Sequence, residues 1–542
     1  MQRFNLLESL SDNIRIDKDR CTFCGICVES CILDNLRMKL APCRQACPLG
    51  VNCQGYIQLI ARGREEEAIA LMRETLPFPG ILGRICSQPC EKKCHRKETE
   101  GESLAIRALK RYLVDRFDST VDSTEPPFPR IKPRTGKEIA VVGSGPAGLM
   151  AAYDLRVRGH RVVVFDAESE PGGMLRWAIP AFRLPVSVLE KEIGILEKMG
   201  VEFRCGVTLG KEIRLETLKE QFDAVIAATG CPKHARLDLK GEDAYGIHYG
   251  LPFLKAVRSG KAPEVGKRVV VIGGGNVAVD AAQTALRIGA ESVTLVALES
   301  EKELPAFPWA VESALAEGVA LECCWGNPTF DSKAGKLKGV DLQRCTRVFD
   351  ACGDFRPIFD DCLLKHLDAD TVIIAVGQGV DIAPFEGTAI VRKGMLAADP
   401  LALQTSDERL FLAGDFARGP STVIEAMASG RRAAASVDRL LNGEDLFFGR
   451  RYPGPVELDY PIDTGRGSEE PRVRLPERRM RGAGDFEEIE GSLTEDEARR
   501  EAKRCDSCGS PFGKYRTCWF CLPCEVECPH EALHVEIPYL LR

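Results

Sequence analysis

The chain has 542 residues, 44% of them hydrophobic and 28% charged, with a net charge of −7; this is the composition of a soluble globular protein, long enough for about three or four domains. The charge gives no electrostatic reason for a nucleic-acid partner, and no apolar run approaches the length of a bilayer, so neither nucleic acid nor a membrane span is expected. The opening residues, MQRFNLLESLSDN, carry acids and no apolar h-region, so no secretory signal is read and the expected compartment is cytoplasmic.

The 23 cysteines crowd towards the two ends of the sequence, which in a large chain read as non-exported points to metal thiolates rather than disulfides. Cys205, Cys231, Cys323, Cys324, Cys345, Cys352 and Cys362 lie between, without ligand spacing, and read as incidental thiols. Residues 1–40 form a ferredoxin-like segment with Cys21-x2-Cys24-x2-Cys27-x3-Cys31. Such a loop can aim thiolates at several corners of a [4Fe–4S] cube; a tetrahedral zinc site is the alternative. Ile32 stands where bacterial ferredoxins carry proline, and no second ferredoxin half follows. The fourth cysteine of such runs can serve another cluster, so the role of Cys31 stays open.

Residues 41–117 read as a helical cysteine-bearing domain. Cys43-x3-Cys47-Pro48 and Cys53 precede a helix from Tyr56 to Met72, whose apolar face holds Leu59, Ala68, Ile69 and Leu71. After Pro77 and Pro79 come Cys86-x3-Cys90-x3-Cys94 and a helix from Leu104 to Phe117. Six cysteines could hold one cluster with spares, or two if other ligands contribute; a metal-free, thiol-rich domain is the alternative. Residues 118–136, rich in Pro, Ser and Thr, read as a linker.

At Lys137 the pattern changes. A strand, Ile139 to Val142, runs into Gly143-x-Gly145-Pro146-Ala147-Gly148 and an Ala/Leu-rich helix, and a second strand, Arg161 to Phe165, ends in Asp166. This is a dinucleotide-binding βαβ unit: the glycines permit the tight turn, the approach of a pyrophosphate and close helix–strand packing, and the acid is placed to bond a ribose. Gly172, Gly173 and Leu175, the segment IPAFRLP and a helix from Val186 to Met199 follow. A strand, Asp223 to Ala227, then ends in Ala228-Thr229-Gly230, small enough to pass close to a dinucleotide. A second unit begins at Lys267, with Gly273-x-Gly275-Asn276-Val277-Ala278 and a strand from Ser292 to Val296. Two such units bind two dinucleotides and make hydride transfer between them the economical reading; the alternative is that one site survives only as a fold element.

Residues 444–490, rich in Pro, Gly and Arg, read as an extended connector. A helix over LTEDEARREAKR leads to Cys505-x2-Cys508, then Cys518-x2-Cys521-x2-Cys524-x3-Cys528-Pro529, a ferredoxin cluster loop. Cys505 and Cys508 are zinc ligands, spare thiols or members of an additional cluster; His530 and His534 read as surface or packing residues.

From Cys43 to about Leu441 the pieces CRQACP, GRICSQPCEKKC, AIRALKR, VVGSGPAGLMAA, PGGMLRWAIPAFRLP, AATG, VIGGGNVAVDAA, AVGQ and LAGDFARGPSTVIEAMASGRRAA closely resemble the small subunit of NADPH-dependent glutamate synthase. They are also similar to the flavin subunit of ferredoxin:NADP transhydrogenases and to the N-terminal part of dihydropyrimidine dehydrogenase. With the ferredoxin-like cysteine spacings at both ends, which lie outside the resembling stretch, the expected fold is α/β, with two Rossmann-type domains, an N-terminal helical iron–sulfur domain and ferredoxin-like segments at both ends. FAD would occupy 137–245 and 376–443, completed by Gly414, Asp415 and Thr422; a nicotinamide dinucleotide would occupy 246–375, reaching Gly377. The C-terminal ferredoxin-like domain would be 491–542. The resemblance also implies clusters among Cys43, Cys47, Cys86, Cys90 and Cys94, three or more [4Fe–4S] clusters in all.

Two departures matter. Relatives carry a further cysteine pair just before CxxxCP, where this chain has Asn35 and Met38, so Cys53 or the Cys21–Cys31 run compensates, or one cluster is missing. NADPH-using relatives end the second unit's strand with arginines, whereas here stand Ala297, Leu298 and Glu299. Glu299 would bond the ribose of NAD and repel a 2′-phosphate, so NAD is expected, with NADP, rescued by Lys302 or a neighbouring arginine, as the alternative.

The sequence thus predicts an electron-transfer flavoprotein subunit in a hetero-oligomer. Hydride passes between NAD(H) and FAD, and single electrons pass through clusters to or from a partner oxidoreductase subunit or ferredoxin. No catalytic side chain is nominated. The alternatives are a glutamate synthase small subunit using NADPH and a non-catalytic cluster-carrying scaffold. A pyrimidine reductase would need a third catalytic domain, and a disulfide reductase a redox-active cysteine pair in a nucleotide domain.

Overall fold

The computed structural model describes residues 7–9, 14–17, 20, 26–30, 36–38, 41–117, 131–237, 239, 241–333, 335–386, 391–392, 395–447, 470–506, 508 and 521–536. Cys21, Cys24, Cys31 and Cys518, and most of the linker over 118–136, lie outside the described residues. The chain divides into two compact units, one of Met1–Ile131, Gly449–Pro476 and Gly491–Arg542, the other of Lys132–Phe448 and Glu477–Glu490.

The second unit is built on two parallel five-stranded sheets. The first runs in the order Leu410–Leu412, Ala224–Ala227, Glu138–Val142, Arg161–Asp166, Glu202–Cys205, and the second Ala320–Cys323, Ser292–Ala297, Arg268–Ile272, Thr371–Ile374, Ile247–Tyr249. Their central strands are continuous apolar runs because both faces are covered, in the second sheet by helices on one face and by an antiparallel meander on the other; Ile139, Ala140 and Val141 are wholly buried. The helix Val423–Leu441 lies so close on Pro146–Val157 that a Cβ on Gly430 would sit 2.0 Å from the Ala147 carbonyl oxygen. An antiparallel meander, Trp325–Lys333, Lys336–Phe349 and Phe355–Asp368, interrupts the second sheet in sequence. Its Phe330, Leu337, Val340 and Leu342 form one core with Val270, Val296 and Val372. Residues 477–490, expected as connector, instead pack on this unit: Gly484 donates to the Arg287 carbonyl at 2.6 Å and Ile489 to that of Phe182 at 2.9 Å. The Arg287 guanidinium lies 3.8 Å from the Phe182 ring centroid.

The first unit is helical. The single helix expected over Tyr56 to Met72 is two, Cys53–Ala61 and Glu65–Thr75, broken at Gly63 with φ +72°. The helix Glu495–Lys503, started by a Thr494–Glu497 capping box, packs against Cys53–Ala61 and Ile106–Phe117. Glu501, fully buried, accepts from the backbone N–H groups of Ala105 and Val473, each at 2.8 Å. The residues expected as two separate ferredoxin-like segments share one core. Ile14–Ile16 pairs antiparallel with Leu533–Val535, the helix Ile26–Ser30 packs against Pro523–Val526, and Cys27, Cys524 and Leu533 are buried together. The second half that appeared to be missing after Cys31 therefore comes from about 500 residues further along. Among the described residues no helix is long and apolar enough to cross a membrane.

Candidate cofactor and metal centres

The glycine turn of the first sheet lies at the carboxyl end of Glu138–Val142, where parallel sheets bind ligands. Gly143 has φ +103°, and a Cβ there would lie 2.3 Å from the Ala228 carbonyl oxygen; one on Gly148 would lie 1.9 Å from that of Gly143. Gly145, with φ −68°, faces open space and begins the helix Pro146–Val157, in which Ala147 is buried. This is a cradle that a side chain would fill. Asp166 accepts from the Ser144 N–H at 2.7 Å and from the Ser144 hydroxyl, which itself accepts from the Gly172 N–H at 2.9 Å. Ser144, a variable position of the motif, thus ties acid to turn, a role no sequence signal marked. A Cβ on Gly173 would meet Gly145 Cα at 2.8 Å, so this second loop closes over the turn, with Leu175 buried behind it.

Thr229, followed by Gly230, has a buried hydroxyl with no hydrogen-bond partner, a group suited to a bound dinucleotide. Gly414 is held by its N–H donating to the Ser429 hydroxyl at 2.9 Å. The adjoining Asp415 accepts from the Ser421 hydroxyl at 2.5 Å, and burial pushes its carboxyl up. The Thr422 hydroxyl is engaged in the capping box of Val423–Leu441, donating to Glu425 at 2.6 Å, so its side chain serves the helix start.

The second cradle repeats the first. A Cβ on Gly273 would lie 2.3 Å from the Ala375 carbonyl oxygen, Gly275 faces open space, and Ala278 is fully buried. Val277 packs beside Gly250, and Asn276 accepts from the Phe307 N–H at 3.0 Å, which fixes the loop after the strand Ser292–Ala297. Glu299, 9% exposed, reaches over the turn: a Cβ on Gly274 would lie 2.6 Å from its Oε2. Leu298 turns away over Gly326, and Lys302 is exposed. Gly377 follows the strand Thr371–Ile374, its carbonyl accepting from the Ala235 N–H at 3.0 Å.

In the helical unit eight cysteines gather in two sets of four that meet at Cys53, which bonds both Cys43 and Cys90. Cys43, Cys94, Cys505 and Cys508 line one cavity, walled also by Ile57, Leu104 and Ile106. Cys47, Cys53, Cys86 and Cys90 gather beside Lys110, which is 4% exposed. Burial, with Cys90 alongside, pushes the Cys47 thiol up to about 11. A hydrogen bond with Cys53 lowers the Cys43 thiol, yet burial and the neighbouring Cys505, Cys508 and Cys94 leave it raised. Burial lowers the Lys110 ammonium, but the negative charge of the four surrounding cysteines, once ionised, outweighs that and raises it. Crowded, buried thiols of this kind become thiolates when a metal takes the place of their protons. Among the described residues no three His, Cys, Asp or Glu side chains are placed to hold a single metal ion. Cys53 was foreseen as a stand-in; the arrival of Cys505 and Cys508 beside Cys43 was not. In the paired terminal module Cys27 and Cys524 are buried, Cys528 is half-buried and accepts from the Ala532 N–H at 3.3 Å, and Cys521 is exposed.

Comparison with known proteins agrees with this geometry. Residues 137–430 match the model of the pyridine nucleotide-disulphide oxidoreductase family, and residues 7–121 that of dihydropyrimidine dehydrogenase domain II, a 4Fe–4S cluster domain. The chain is 35% identical over 504 residues to the NADP(+)-dependent formate dehydrogenase subunit beta of Moorella thermoacetica, covering 86% of this chain and 70% of that one. It is 32% identical to the NADPH-Fe(3+) oxidoreductase subunit beta of Geobacter sulfurreducens, over 86% and 75% of the two chains. With the glutamate synthase [NADPH] small chain of Mycobacterium tuberculosis the identity is 31%, over 82% and 91%. A solved structure of a FprA mutant from Mycobacterium tuberculosis superposes with a TM-score of 0.50 at 19% identity, over 58% of this chain and 85% of that one, a likeness of fold. The chain carries an FAD/NAD(P) oxidoreductase domain beside a 4Fe–4S domain, and it belongs to the pyridine nucleotide-disulphide oxidoreductase family.

Proposed function

We propose that this chain is the flavin- and cluster-bearing subunit of a larger oxidoreductase. It would exchange hydride between a nicotinamide dinucleotide and FAD, and pass single electrons to or from a partner oxidoreductase subunit or ferredoxin. The observation that carries the reading is the co-occurrence of two open glycine cradles on two parallel sheets with two groups of four gathered cysteines in one chain. The flavin, when bound, supplies the change from two-electron to one-electron transfer.

The protein's part is to hold and orient. The backbone N–H groups after Gly145 and Gly275 would receive the phosphates, Asp166 a ribose, and the Thr229 hydroxyl and Asp415 the flavin dinucleotide's far side. Hydride transfer needs no side-chain acid or base, and none is assigned. Glu299, reaching over Gly274 with Leu298 turned away, supports NAD(H) as the partner of the second cradle. The names of the relatives, which specify NADP(+) or NADPH, favour the second reading, NADP(H).

The test is an anaerobic titration of cluster-replete protein with NADH and, separately, NADPH. Flavin bleaching is followed by absorbance and cluster reduction by electron paramagnetic resonance. Bleaching with new cluster signals supports the reading, and the more effective dinucleotide identifies the cofactor. Silence with both would move the assignment to a non-catalytic cluster carrier.

A further inference from the structure

Cys43 and Cys94 share a cavity with Cys505 and Cys508, which arrive from the far end of the chain. We propose that Cys505 and Cys508, though beyond the matched iron–sulfur domain, are ligands of that domain's cluster, completing a four-thiolate site with Cys43 and Cys94.

Three observations carry this assignment. The four sulfur-bearing residues line one cavity, whose remaining walls are largely apolar. Arg96, two residues after Cys94 and 1% exposed, holds both neighbours of Cys505, donating to the Arg504 backbone carbonyl at 2.9 Å and to the Asp506 side-chain carboxylate at 3.1 Å. The helix delivering the pair is seated by Glu501, whose carboxylate oxygens accept from Ala105 and Val473, and by Arg499, which donates to Glu65 at 2.9 Å. A buried guanidinium committed to the residues flanking one cysteine fixes that loop to within what a rigid metal site demands. Cys47, Cys53, Cys86 and Cys90, grouped round Lys110, are left as a second four-cysteine set. On loading with two ferrous ions, two ferric ions and four sulfides per site, the core assembles with no net electron transfer, and each ligating thiol gives up its proton to solvent and forms one sulfur–iron bond.

The assignment rests on the chain being a cluster carrier, so the test separates the two. Full-length protein, reconstituted anaerobically with iron and sulfide, would be assayed for iron per chain and for the resonance components of the dithionite-reduced state, with flavin content as the control for folding. Cys43→Ala and Cys505→Ala should each lose about four irons and the same resonance component, and the double variant should lose no more than either alone. Pairing Cys505→Ala with Cys90→Ala should double the loss. A Cys43/Cys505 double variant that loses twice as much as either single would overturn the assignment by placing Cys505 in a different centre, as would a Cys505→Ala protein with its full iron content. One zinc in place of four irons overturns the cluster. Absence of iron from the unaltered protein overturns the carrier reading itself.

Discussion

Gly145 and Gly148 belong to one motif, yet the structure assigns them opposite duties, and alanine at each should separate folding from flavin binding. At Gly145, φ is −68° and a Cβ would meet nothing within 4 Å, so alanine fits the protein without strain. Its effect on the unfolded chain stabilises by about 0.4–1 kcal/mol, and alanine is a poorer helix start than glycine by a similar amount. The net change should lie within about 0.5 kcal/mol. The added methyl would stand where a pyrophosphate comes closest, and Gly145→Ala should lower flavin affinity at least about tenfold, equivalent to ~1.4 kcal/mol. At Gly148 the Cβ would lie 1.9 Å from the Gly143 carbonyl oxygen, backbone against backbone. Relief requires the helix to move off the sheet, at a cost of about 1–3 kcal/mol, several degrees in Tm. Flavin content by absorbance and apoprotein melting by circular dichroism read the two effects apart. Full flavin occupancy in Gly145→Ala, or a melting loss there as large as in Gly148→Ala, would refute the division of roles.

Replacing Leu298 and Glu299 together by arginine should raise kcat/KM for NADPH relative to NADH by roughly tenfold or more, since a charge-assisted hydrogen bond is worth about 1.5–3 kcal/mol; an unchanged ratio would sink Glu299 as the selector. Lys110→Met removes a buried positive charge from the Cys47, Cys53, Cys86 and Cys90 group. A unit charge close to the cluster at an effective dielectric near 20 is worth a few kcal/mol, so a redox titration followed by electron paramagnetic resonance should place one cluster on the order of 100 mV lower, and an unmoved midpoint would remove Lys110 from that site. The Arg478 guanidinium beside Asp485 holds its carboxyl well below the ordinary range. A carboxyl depressed in the folded state stabilises above its unfolded value and ceases to do so as pH falls through the folded one. Hydrogen exchange of residues 477–490 should therefore be slow at neutral pH and rise only in strong acid, whereas Asp485→Asn should raise it at neutral pH; equal protection in both proteins would contradict the role given to the pair.

The two nucleotide domains were legible because each rests on contiguous signals: an apolar strand, glycines at fixed offsets, a helix and an acid. Gly143, Gly148, Gly273 and Ala278 have the packing duties that the motif predicts. The meander over 325–368 was not read, since alternation along three strands that share a core with the parallel sheet resembles any half-buried segment. The strap at 477–490 hid for another reason. Its Pro, Gly and Arg content is that of a linker, and only partners remote in sequence, Phe182 and Arg287, make it structure. Ligand sets were the least legible, because spacing rules describe one loop folding round one metal. Cys86, Cys90 and Cys94 form an unbroken motif, yet Cys94 lines a cavity with Cys43 while Cys90 bonds Cys53.

The placement of Cys505 and Cys508 shows why sequence distance is a poor guide here. Closing a chain loop grows costlier by about 0.6 kcal/mol per doubling of its length, so a pair some 400 residues away costs only about 2 kcal/mol more to recruit than one about 40 residues away, a cost that is offset where the segment delivering it docks on its own account. Glu495–Lys503 meets that condition, with its own capping box, a buried Glu501 that accepts two backbone N–H groups, and the Arg96 clamp immediately beyond it. The antiparallel pairing of Ile14–Ile16 with Leu533–Val535 follows the same logic, joining Cys27 and Cys524 in one core. In each case polypeptide packing brings the thiols together. Metal then couples to that packing, because a cluster bound by Cys43, Cys94, Cys505 and Cys508 would add its binding free energy to the docking of residues 491–508.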